Sequence, residues 1–118
     1  MNAETQENGE ISFDEFLKVR IVTGTIVEAE LNPKARVPAF VLEIDFGALG
    51  RRRSSAQLTQ NYTTESLLGK QIVAVANFPP KRIAGVKSEV LILGAVSETS
   101  GVVLLEPTFP VENGARIA

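Results

Sequence analysis

Asn77-Phe78-Pro79-Pro80-Lys81-Arg82-Ile83-Ala84-Gly85-Val86-Lys87-Ser88-Glu89-Val90-Leu91-Ile92-Leu93-Gly94-Ala95 is the stretch on which the reading of this chain turns. Two consecutive prolines fix the backbone torsion and remove two N–H donors, so Lys81 and Arg82 leave a rigid base. Gly85 lets the chain turn, and Lys87-Ser88 leads into a strongly apolar run. The segment reads as a loop that presents positive charge and hydrogen-bond donors between two strands. An ordinary solvated turn fits the same residues, so the surroundings have to decide.

On either side lie the two most apolar strands, expected over 71–76 and 89–96. In Ile72-Val73-Ala74-Val75-Ala76 and Val90-Leu91-Ile92-Leu93 both faces are hydrophobic, so each strand needs cover on two sides. A small barrel covers only the inner one. The outer side then requires a helix, the chain's own tail or a second subunit.

Further out, Ser12 followed by Glu15 fits a capping box for a short helix carrying Phe13, Phe16 and Leu17. Residues 20–30 are rich in Val, Ile and Thr and read as a strand, with Gly24 hinting at a bulge or tight bend. Residues 31–36 form a turn with two cations. Phe40, Leu42, Ile44 and Phe46 alternate with polar or half-buried positions, which marks a strand with its even residues inward. Gly47 and Gly50 bound a reversal, and 51–57 pairs back. Arg51, Arg53 and Ser55 share one face of that strand, and Arg52, Ser54 and Ala56 the other. A short helix over 64–68 stops at Gly69, and 102–105 is a last short strand.

Five or six short strands, an initial helix and a helix between the third and fourth strands suit a five-stranded Greek-key barrel of the OB type. The expected class is mainly β, with a short N-terminal helix and a C-terminal extension. A plain β-sandwich is the alternative. The expected organisation is a disordered acidic leader over 1–10 and one domain over 11–118.

Composition narrows the function. With 44% hydrophobic and 22% charged residues the chain is globular, and no apolar run nears the ~18 residues of a membrane span. Without Cys or His, the commonest metal ligands and the commonest general base are missing. No nucleophile elbow, phosphate loop or dinucleotide fingerprint occurs. The expectation is a cytoplasmic binding protein with no catalytic residues, metal or cofactor, and without membrane insertion. Net charge is −2, but the leader holds Glu4, Glu7 and Glu10 and no cation, so the remainder is near neutral. Cations cluster at Arg51-Arg52-Arg53 and at Lys81, Arg82 and Lys87.

Asn77, Lys81, Arg82, Lys87 and Ser88, with Arg51 and Arg53, are the candidate RNA contacts, since Arg and Lys supply most affinity for a phosphate backbone. Only Phe78 and Tyr62 are available for base stacking, which fits recognition of a folded RNA by shape rather than single strands. The arginine triplet also fits a solvated edge that blocks strand-to-strand aggregation. Phe78 equally fits a cap on the core. Phe78, Pro79, Pro80 and Ile83 together make a candidate apolar patch for unfolded peptide segments.

Residues 12–117 resemble the tRNA-binding domain family, most closely the bacterial CsaA group of secretion chaperones. The runs that carry this are Thr23-Gly24-Thr25-Ile26-Val27, Ala35-Arg36-Val37-Pro38-Ala39, Ser54-Ser55-Ala56-Gln57, the whole of 77–85, and Lys87-Ser88-Glu89-Val90-Leu91. The resemblance implies an OB fold, binding of structured tRNA and homodimerisation. For the CsaA group it also implies binding of unfolded preproteins for export, held as extended apolar-and-basic segments. Three departures from the wider family pattern shift weight toward peptide-type contacts. Pro79 stands where a basic residue is usual, Val90-Leu91 replaces Gly-Met, and Arg20-Ile21-Val22 replaces Asp-x-Arg. A second subunit would also cover the two-sided apolar strands, a reading independent of the resemblance.

Overall fold

Ser12 caps the first helix, α1 (Phe13–Leu17), as its spacing to Glu15 requires: the Ser12 hydroxyl accepts from the Glu15 amide, and the Glu15 carboxylate accepts from the Ser12 amide. This computed structural model describes residues 9–118. The leader expected over 1–10 lies outside the described residues for 1–8, while Gly9 and Glu10 are exposed.

The long strand β1 (Ile21–Leu31) organises the rest. Its first half pairs with β4 (Gln71–Val75) and its second half with β2 (Phe40–Asp45), both antiparallel. A 3-10 turn at Gly47–Leu49 carries β2 into β3 (Arg51–Ala56). A second capped helix, α2 (Thr64–Leu67), precedes β4, and Gly69 follows it with φ +81°. The remaining strands are β5 (Lys81–Ile83), β6 (Val86–Ser88), β7 (Leu91–Ile92), β8 (Gly94–Ser97) and β9 (Gly101–Leu104). The main sheet has the order β3-β2-β1-β4-β7. Its ends meet where the Glu89 amide donates to the Arg53 carbonyl at 2.8 Å and the Ser54 hydroxyl to the Val90 carbonyl at 3.2 Å. The result is a nearly closed five-stranded antiparallel barrel, the expected OB class.

The alternation read in β2 is obeyed: Leu42, Ile44 and Phe46 are fully buried, with Ile26, Leu67 and Ile72 from β1, α2 and β4. Each such side chain contributes about 1.5–3 kcal/mol by leaving water. On β3, Ser54 points inward, so Arg52 sits half-buried at the rim and Arg51 and Arg53 face outward.

Three expectations needed revision. The register shift in β1 falls between Ile26 and Glu28, not at Gly24. Gly24 instead admits the Phe46 ring, because a β-carbon there would stand 2.7 Å from Phe46 and Ile44 carbons. The single strand expected over 89–96 breaks at Leu93. Beyond it the chain leaves β4 and folds β8 against β9, with Gly94 accommodating Val102 and the Val103 carbonyl. Finally, β4 is buried on both faces within one chain. Nearby, the C-terminal tail runs along β1: the Gly114 and Ile117 amides donate to the Thr23 and Ile21 carbonyls, and Thr23 donates its amide to Ala115. The two-sided cover expected over 90–93 is not met within one chain, because Leu91 in β7 is half exposed.

Candidate peptide and nucleic-acid interface

The loop between β4 and β7 contains a hairpin of its own, β5 and β6. Ala84 and Gly85 at its tip have φ 47° and 83°, the left-handed pair that a two-residue hairpin turn of type I′ demands. Asn32, 9% exposed, holds that tip: its side-chain amide donates to the Ala84 carbonyl at 3.2 Å, while its carbonyl accepts from the Lys34 amide. Lys34 lays its stem over Gly85, where a β-carbon would meet Lys34 Cδ at 3.3 Å. Just past β4, Asn77 donates to the Lys18 carbonyl and accepts from the Arg20 amide, which ties the link between α1 and β1 to the end of β4.

Register divides the hairpin's side chains. Lys81 faces Ser88, Arg82 faces Lys87 and Ile83 faces Val86. Side chains alternate along a strand and directly opposed residues share a face. Lys81, Ile83, Val86 and Ser88 therefore occupy one side, with Val86 and Ser88 buried against the barrel, and Arg82 and Lys87 occupy the other. Phe78, Pro79, Lys81, Ile83 and Ser88 from this loop and Leu91 from β7 come together around a cavity of about 330 Å³, completed by Glu89 and Val90. Pro80 stands beside it in sequence but does not line it. Phe78 and Leu91 are about half exposed (53% and 50%), so the cavity has an apolar mouth. Ser88 accepts from the Ser55 amide at 3.1 Å, which ties the cavity to β3.

Ile83 also borders two neighbouring grooves. One, about 380 Å³, is lined by Lys34, Arg36, Ser55 and Gln57. The other, about 430 Å³, runs past Leu58 and Leu91 to Val96 and Val102. The first adds two cations that the sequence marked only as part of a turn; their place depends on Asn32, whose role has no local signal. Arg51 and Arg53 lie elsewhere, on the outer face of β3. Arg51 pairs with Glu43 at 3.2 Å, and Arg53 borders a depression shared with Glu28, Glu30 and Glu43. Lys34, Arg36, Lys81, Arg82 and Lys87 make no ion pair among the described residues. Uncompensated cations beside an apolar cavity can hold an anion and an apolar segment side by side. Among the described residues no cluster of His, Cys, Asp or Glu could hold a metal ion, and no helix is long and apolar enough to cross a membrane.

Residues 21–116 match the family model described as "Putative tRNA binding domain". Among solved structures, chaperone CsaA from Bacillus anthracis is 54% identical with a TM-score of 0.88, the match covering 92% of this chain and 99% of that one. The CsaA chaperone protein from Picrophilus torridus is 45% identical with a TM-score of 0.87, over 92% and 100%. A methionine–tRNA ligase from Porphyromonas gingivalis is 35% identical over 108 residues, 92% of this chain but 16% of the ligase. The chain thus spans a small part of such curated relatives and nearly all of the chaperones. On the residues matched and the near-complete alignment with both chaperones, it belongs to the tRNA-binding domain family, in its CsaA group.

Proposed function

We propose that this chain, as one domain over 11–118, is a non-catalytic cytoplasmic binding protein. It holds unfolded preprotein segments for export in the Phe78 cavity and binds structured RNA, tRNA above all, through cations around the same hairpin. The observation that carries the first part is the half-exposed apolar mouth of Phe78, Pro79, Ile83 and Leu91, which is suited to an extended apolar segment. The RNA reading is favoured by cations without carboxylate partners, Arg82 and Lys87 on the hairpin's outer face above all, in a family described by tRNA binding.

A homodimer belongs to the same proposal. Burial of β4 within one chain removes one reason for a second subunit, but Val96 (86% exposed) and Leu91 (50% exposed) line one groove together with Val102. An apolar strip of this kind fits a self-complementary interface. Light scattering at roughly micromolar concentration should give twice the chain mass, and Val96→Asp should lower it toward a monomer; a wild-type monomer would remove the dimer. Unfractionated tRNA should bind at low ionic strength, and undetectable binding there would remove RNA as a ligand.

A further inference from the structure

The hairpin's two faces have different chemistry, and the division follows from register. Its inner face gives Lys81, Ile83 and Ser88 to the apolar cavity. Its outer face carries Arg82 opposite Lys87, and neither lines any of the grooves described above. Two like charges directly opposite on one face repel each other. Arg82 has one internal contact, from Nη1 to the Gly85 carbonyl at 3.3 Å, and Lys87 has none among the described residues. An outer-face pair of this sort is relieved by an anion that bridges the guanidinium and the ammonium, as a phosphodiester does.

We infer that Arg82 and Lys87 form a phosphate-backbone site on the face of the hairpin opposite the apolar cavity, so that RNA and an unfolded polypeptide bind at the same time. This rests on the binding reading above and adds that its two ligands do not compete. Successive side chains leave a strand on opposite faces, so the hairpin's register sets the two ligands on opposite sides of it. The left-handed turn at Ala84-Gly85 and the Asn32 anchor hold that partition in place. The protein then acts as an adaptor that keeps an emerging unfolded segment beside an RNA surface, rather than a chaperone that RNA switches off.

The test uses the full chain, unfractionated tRNA and a permanently unfolded, carboxymethylated protein bearing a fluorophore. Arg82→Ala/Lys87→Ala should weaken tRNA binding by roughly tenfold or more and lower the slope of log affinity against log salt by about two. Its affinity for the unfolded protein should stay within about twofold. Phe78→Ala should do the reverse. Both side chains of the double variant are exposed, so folding is retained, and an unchanged thermal melt verifies it. With wild type, saturating tRNA should leave affinity for the unfolded protein within about twofold, the signature of a coupling free energy near zero. A loss of affinity in proportion to tRNA concentration would overturn the inference and leave both ligands standing. Equal weakening of both ligands by the double variant would overturn it too. No tRNA binding at low salt would instead sink the RNA reading itself, and the outer-face site with it.

Discussion

Gly24 shows how one residue ties the core to the fold. It is set in the middle of β1, and the Phe46 ring lies where its side chain would be. The prediction is that Gly24→Ala forces Phe46 and Ile44 apart and costs about 1–3 kcal/mol, read as a lower denaturant midpoint at an unchanged slope. The glycine's presence in a strand was legible as an irregularity, but its reason was not, since the ring that needs the space is 22 residues further along the chain. Thr23 beside it is less legible still. Its buried hydroxyl donates to the Glu112 carbonyl at 2.8 Å and accepts from the Ala115 amide at 3.0 Å. Nothing local to Thr23 announces a partner so far off in the chain.

At the scale of elements, the parts read correctly were those governed by local chemistry. The Ser12–Glu15 capping box and the alternation from Phe40 to Phe46 follow from short-range spacing, and both appear as expected. The β5–β6 hairpin was missed because three-residue strands are too short for a periodicity, and the double proline before them suggested only a rigid loop. Its turn also departs from the usual composition. Type I′ turns favour Asn-Gly or Gly-Gly, while here Ala84 takes a left-handed conformation at φ 47°. Ala84→Gly relieves about 1–2 kcal/mol of that strain and adds about 0.5–1 kcal/mol of chain entropy cost. Thermal unfolding should therefore show a net gain of roughly 0.5 kcal/mol. A destabilised Ala84→Gly variant would contradict this, since it would mean that the added chain entropy outweighs the relieved strain.

Across the whole molecule, acidic side chains and unpaired cations are sorted onto different walls. Glu28, Glu30 and Glu43 line the outside of β1 and β2 with Arg51 and Arg53 among them, whereas the unpaired cations gather around the hairpin. Net charge of −2 conceals this arrangement. The cationic segment from Asn77 onward pointed to it, but the split of Lys81 from Arg82 and Lys87 became visible only with the strand register. The central claim is that the cavity at Phe78 binds unfolded polypeptide by apolar contact, next to cations that bind RNA by charge. Its most direct measurement is the affinity of wild type and Phe78→Ala for a fluorescent unfolded protein, from about 50 to 200 mM salt, with tRNA titrated in parallel. The expected result is that polypeptide binding changes little with salt and drops at least roughly tenfold in Phe78→Ala, while tRNA binding falls steeply with salt in both proteins. Polypeptide binding that declines with salt as steeply as tRNA binding, and is indifferent to Phe78→Ala, would contradict it.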